Sequence, residues 1–225
     1  MSSIDPAIIS AFWRVLAGSG WHGLTLRAIA AEAGLPLAEL RRQAASPLHI
    51  LAAHQRALDA AVLEGTVDDL GSTPRDRLFD VLMRRLDALQ PDRAGVIRLL
   101  RDLPRAPLLA LWFAPRQAGS MAWMLEAAGL DAAGPGGLLR VQGLGAVWLS
   151  ALRAWEKDES EDLSATMAAL DRALDQADRV ARWLRMAPPE MEPPLAEPPL
   201  ADPSAAGSDI APGGETDTRA SPEGV

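Results

Sequence analysis

The chain has 225 residues, 48% of them apolar, with seven Trp against three Phe, no Tyr and no cysteine. That length suits one mid-sized domain or a small domain fused to a larger one, and the missing thiol excludes disulfides, thiolate nucleophiles and cysteine-ligated metals. The net charge of −8 is unevenly spread: residues 187–225 hold eight acidic side chains and one basic one, Arg219, leaving residues 1–186 at −1.

Residues 1–186 read as helices throughout, without an alternating β-branched run or a hairpin signal. Asp5-Pro6 supplies an N-cap and a proline at the first helical position, and "AIISAFWRVLA" carries that helix to Gly18. "GSGWHG" predicts a turn. "LTLRAIAAEA" predicts a short helix stopped by Gly34, and "PLAELRRQA" predicts another. Ser46-Pro47 caps a longer helix that runs to Gly65, and Thr73-Pro74-Arg75-Asp76 opens "RDRLFDVLMRRLDAL" with Leu78, Leu82, Leu86 and Leu89 in one stripe. "PDRAGVIRLLRDL" follows. "APLLALWFAPRQAGSMAWMLEAAG" is expected to break or bend at Pro115. After the turn "DAAGPGG" comes "LLRVQGLGAVWLSALRAW", where Leu138, Val141, Gly145, Trp148, Leu152 and Trp155 recur at helical steps. The last helix, "EDLSATMAALDRALDQADRVARWLRM", sets Leu163, Met167, Leu170, Leu174, Ala177, Ala181 and Leu184 on one face.

About nine helices result, and the expected fold is all-α: short helices in residues 1–65, a larger helical domain in 66–186, and an acidic Pro-rich tail in 187–225. The tail's repeated Glu/Asp-Pro units read as a disordered spacer, with a Pro-rich recognition segment as the alternative. No apolar run approaches the roughly 20 residues of a membrane span, and "MSSIDPAIISAFWRV" lacks the features of a signal peptide, so a soluble cytoplasmic protein is expected.

Three histidines, His22, His49 and His54, are the candidates for acid–base or ligand chemistry at neutral pH. His49 and His54 stand about 140° apart on a helix, and no His-Glu-x-x-His motif accompanies them. They read as surface or turn positions. With no nucleophile elbow, P-loop or dinucleotide fingerprint, the expectation is a non-enzyme without a cofactor or metal.

"GWHGLTLRAIAAEAGLPLAELRRQAASPLHILAAH" resembles the N-terminal helix-turn-helix of TetR-type regulators. Thr25 or Leu26, Ile29, Ala30, Ala33, Gly34 and Leu40 stand at that family's pattern positions. Where those regulators carry a Tyr, a Phe and a Lys, this chain has Arg41, Ala44 and Pro47, and the Tyr and Lys are phosphate-facing in the family. Residues 1–65 hold five arginines and five acidic side chains, a net charge of zero where a DNA-binding module usually shows a basic excess. Two readings stand side by side. In one, Thr25, Arg27, Leu37, Arg41 and Arg42 touch DNA; in the other, the third helix is kept for packing.

A second resemblance covers residues 10–183. Gly20-Trp21, Ala28-Ile29, "RRLDALQPDRAGVIRLL" with the Leu-Pro that follows, and "WEKDESEDLSATMAALDRALDQADRV" are similar to the lipid-binding accessory protein of coenzyme Q (ubiquinone) biosynthesis, a relative of the TetR and FadR regulators. That resemblance implies a non-catalytic carrier of an isoprenoid lipid that presents it to a ubiquinone-biosynthesis enzyme. The family's terminal membrane-docking helix is replaced here by the acidic tail, which anionic lipid repels. A DNA-binding regulator with an apolar effector pocket is the alternative.

The rear helices carry the bulky apolar set Leu109, Trp112, Phe113, Met121, Trp123, Met124, Leu144, Trp148 and Leu152, with Gly143 and Gly145 among them. This set reads either as the lining of a hydrophobic pocket or as plain core. Regulators of this type place their effector pocket in that region. Nothing in the sequence identifies a buried cation, so the expected ligand is a neutral long-chain or isoprenoid compound. The last two helices carry stripes suited to a homodimer interface.

Overall fold

The structure is a computed structural model that describes residues 4–66 and 71–186. The 187–225 segment, and the expectation attached to it, lies outside the described residues. The described residues contain nine α-helices and no strand: α1 (Pro6–Gly23), α2 (Leu26–Glu32), α3 (Leu37–Gln43), α4 (Pro47–Glu64), α5 (Pro74–Leu89), α6 (Arg93–Asp102), α7 (Pro107–Ala127), α8 (Gly134–Trp155) and α9 (Ser164–Met186). Short 3-10 turns join α5 to α6 and α6 to α7. None of the described helices is long and apolar enough to cross a membrane.

Side-chain caps fix the starts of α1, α2, α4 and α5. Asp5 accepts from the Ala7 N–H at 2.8 Å, Thr25 from Ala28 at 3.1 Å, Ser46 from His49 at 3.2 Å and Thr73 from Asp76 at 3.2 Å. Each satisfies an N–H that an unpaired helix terminus leaves exposed. Gly34 (φ 66°) turns the chain between α2 and α3 in the left-handed region, where a side chain is strained.

The structure departs from the sequence expectation in five places. α1 continues past Gly18 to Gly23, and its break falls at Gly20 (φ 69°, ψ 176°). α7 runs unbroken through Pro115. Pro115 and Leu111, whose carbonyl loses its partner, both lie on the exposed side, where solvent satisfies that carbonyl. The "GPGG" segment expected as a turn instead forms the first turn of α8. Leu138 is 61% exposed, while Val141, Trp148, Leu152 and Trp155 from the same stripe are buried. Finally, α9 begins after Leu163, which is buried but held at φ 54°, and Ala181 faces outward; the side chain of Leu184 lies outside the described ones.

The core is continuous across residues 4–186, from Phe12 and Leu16 of α1 through the Leu78, Leu82, Leu86 and Leu89 stripe to Trp155 and Leu170. α4 packs on α5 and α7, and α8 on α7 and α9. Arg75 joins α5 to α9 through Asp171 at 2.6 Å and Asp175 at 2.7 Å. Asp158 holds the start of α9, accepting from the Thr166 N–H at 2.7 Å and its hydroxyl at 2.6 Å; the Ser160 hydroxyl first, and the Thr166 donors second, keep its carboxyl well below the usual range.

α1 lies directly on α6, an approach that depends on Gly95. A Cβ there would sit 2.7 Å from the Trp13 carbonyl oxygen and 2.8 Å from Trp13 Cε3. Neither atom belongs to a flexible chain end, so Gly95→Ala must push the helices apart. The expected loss is about 1–3 kcal/mol in urea unfolding. A change below about 0.5 kcal/mol, the scatter of neutral surface substitutions, would show that the contact yields freely.

Candidate ligand cavity and nucleic-acid interface

Helices α1, α4, α5, α6, α7 and α8 line a half-open cavity of about 550 Å³. α7 contributes Ala110, Phe113, Ala114, Gln117, Ala118 and Met121, a stripe at three- and four-residue steps. α8 contributes Val141, Gly145, Trp148 and Leu152. The size falls within the range of small-molecule pockets, and the wall is mostly apolar with a few polar groups.

Of the nine residues expected in a pocket, Phe113, Met121, Trp148 and Leu152 line this cavity. Leu109, Met124 and Leu144 are buried but do not line it. Trp112 is half-buried beneath the Arg116 guanidinium, 3.9 Å from its ring, and Trp123 is 58% exposed. The reason is helical phase. Trp112 stands one residue before Phe113 and Trp123 two after Met121, so they are rotated about 100° and 200° from the lining stripe.

The polar part of the wall was not foreseen. Arg85 is 2% exposed and ion-paired with Asp59, which also accepts from Ser120 Oγ at 2.5 Å. The Arg85 guanidinium carbon lies 5.4 Å from the centre of the Trp148 ring. Burial presses the Arg85 pKa downward, and Asp59 opposes that shift. Arg85 is thus a buried cation, paired with Asp59, that the sequence alone does not identify. The sequence did hold a signal: Arg85 sits three residues after Leu82 and seven after Leu78, on the core-facing stripe of α5.

His54, expected at a surface or turn, is buried against Trp13, with ring centroids 4.9 Å apart in an edge-to-face arrangement. Burial first, and the Arg85 charge second, push its pKa down to about 4, against a smaller upward pull from Asp59. The imidazole is therefore neutral at pH 7. Trp13 Nε1, His54 Nε2, Arg85 Nε and Gln117 Nε2, all on residues lining the cavity, have no hydrogen-bond partner. No cluster of metal-ligating side chains occurs among the described residues.

At the other end of the molecule, Leu26, Arg27, Leu37, Ala38, Leu40 and Arg41 form an open cleft of about 400 Å³ between α2 and α3. Of the residues expected to meet DNA, Arg27, Leu37 and Arg41 border this cleft and are exposed. Thr25 is also exposed, but its hydroxyl oxygen caps α2. Arg42 is engaged by Glu39 one turn away, and Glu39 also accepts from Gln43 at 3.0 Å. Ala44, in place of the family's Phe, is 1% exposed and serves the core. α3 is tied to the start of α1 by the Asp5 N–H, which donates to Gln43 Oε1 at 3.0 Å, and α2 to α1 by Arg14 and Glu32 at 2.6 Å.

No protein-family model matches the chain, and no curated protein does so either. Among solved structures, it is similar to a TetR transcriptional regulator from Nitrosomonas europaea, with a TM-score of 0.59 and 23% identity over 77% of this chain and 97% of that one. A transcriptional regulator from Rhodococcus also matches, at a TM-score of 0.48 and 17% identity over 77% of this chain and 95% of that one. The ubiquinone-biosynthesis family finds no support in these likenesses. The chain has the all-α, TetR-type fold.

Proposed function

We propose that this protein is a ligand-responsive DNA-binding regulator of one component, working without catalysis. The observation that carries this reading is the cavity itself, a partly polar, half-open cleft of about 550 Å³ lined by α1, α4 and the rear helices of a TetR-type fold. Arg27 and Arg41 supply the DNA contact, because both are exposed at the cleft between α2 and α3, whereas Arg42 is partly neutralised by Glu39. Phosphate neutralisation by such side chains supplies much of any DNA affinity. The protein acts as a homodimer through α8 and α9, whose exposed Leu138 and Val180 remain for a second copy to cover.

One observation favours the accessory-protein reading instead: residues 1–65 are electrically neutral, which is poor for holding a duplex. A gel shift with DNA from the region upstream of the protein's own gene, taken over a salt series, separates the two. The regulator binds at low salt. Replacing Arg27 and Arg41 together by alanine weakens binding and lowers the log–log salt slope by about 3 to 4 in a dimer, near 0.9 per phosphate contact. Absence of a shift even at low salt, or a slope untouched by the double substitution, removes DNA from the function. An isoprenoid lipid that co-purifies with the chain would then favour the carrier role.

A further inference from the structure

The unpartnered donors of the cavity wall point one way chemically. Buried polar atoms in folded proteins are as a rule hydrogen-bonded, so four exceptions on residues of a single wall call for a common cause. The indole and guanidinium nitrogens donate and never accept. Among the described residues, no side-chain oxygen appears among the buried atoms without a partner. The imbalance is thus a surplus of donors. A carbonyl oxygen adds acceptors alone, whereas each water that accepts also brings two hydrogens to be placed.

The charge balance narrows the ligand further. Arg85 is matched by Asp59, and His54 is neutral at pH 7, so this part of the wall has no free positive charge. A carboxylate entering here would lie near Asp59 in a medium of low dielectric, and like charges so placed repel strongly.

We propose that the cavity takes a neutral, largely apolar compound whose polar end carries carbonyl oxygens and no hydrogen-bond donor, such as an ester, ketone or lactone, bound by the donors of Trp13, Arg85 and Gln117. The inference rests on the ligand-sensing reading above and names the chemistry of its ligand. These nitrogens are shielded in the structure, so the assignment requires the Trp13, Arg85 and Gln117 side chains to turn toward the ligand as it enters. An alkane fills the same volume but leaves the donors unpaired. A fatty acid supplies oxygens but adds a charge that nothing in this part of the wall offsets.

Methyl decanoate, decanoate and decane test this with the full chain at neutral pH, read by tryptophan fluorescence and thermal shift. Gln117→Leu and Trp13→Phe each delete one donor while keeping a side chain of similar shape. Methyl decanoate is expected to bind about tenfold more tightly than decanoate or decane, and each variant to weaken it by about five- to tenfold, the worth of one hydrogen bond. Decane affinity stays unchanged in both. Decanoate or decane binding as tightly as the ester, or ester affinity unmoved in both variants, overturns the carbonyl assignment and leaves the cavity standing as a ligand site. Failure of all three compounds to bind overturns the assignment and the sensing role together.

Discussion

Arg85→Met is expected to destabilise the fold by about 3–5 kcal/mol, a large share of the stability of a domain this size. The substitution keeps the volume of the side chain but strands the Asp59 carboxylate, which is 17% exposed and left with the Ser120 hydroxyl. The loss comes from that unpaired charge, not from the net worth of the ion pair, because burying the pair already carries a desolvation penalty. A double variant, Arg85→Met with Asp59→Leu, is therefore expected to recover most of the stability. Urea unfolding of the four proteins in the cycle decides it. A single variant within about 1 kcal/mol of wild type, or a double variant no better than the single, would show that Asp59 reaches solvent freely.

The second large effect is on pH. The folded-state pKa of His54, about 4, lies below its ordinary value of 6.5. Between those two values the unfolded chain binds a proton that the folded chain refuses. This stabilising contribution is fully present above pH 6.5 and is lost as pH falls toward 4, about 3 kcal/mol in all. The Asp92 carboxylate, 3.9 Å from His54 Nδ1, is itself raised by burial, and it contributes with the opposite sign only nearer the carboxylate range. Urea midpoints for wild type and His54→Gln from pH 7.5 to 4.5 isolate the imidazole. The variant is expected to show a flatter profile, and parallel profiles would mean that His54 is protonated without difficulty in the folded chain.

Helix positions and the buried stripe of α5 were legible because spacing and caps are local properties: Leu78, Leu82, Leu86 and Leu89 repeat at helical steps, and Thr73 and Ser46 announce the helices they cap. The helix-turn-helix was legible through Gly34 and Leu40 for the same reason. The cavity was read only in part. Four of the nine residues proposed for it line the wall, because bulk and hydrophobicity select apolar residues without giving their rotational phase on a helix. The polar groups were missed because an arginine at a core-facing position looks like any other arginine until its partner is known. Asp59 lies 26 residues from Arg85, and nothing local joins them. Pro115 misled in the opposite sense: a helix breaker by rule, it is accommodated where its lost hydrogen bond faces solvent.

The contact of α1 with α6 is made mostly by packing. Trp13 lines the cavity while its carbonyl and the Cε3 edge of its ring abut Gly95, and the Trp21 N–H donates to Asp102 at 2.8 Å near the far end of both helices. α1 is thus seated on α6 at its middle and near its end, by backbone and ring more than by free charge. Steric seating of this kind is indifferent to ionic strength, whereas contacts from Arg27 and Arg41 to phosphate fade quickly as salt rises. On the regulator reading proposed above, salt is expected to release DNA while leaving the seating of α1 intact, so a ligand that fills the cavity should give the same tryptophan-emission shift at low and high salt.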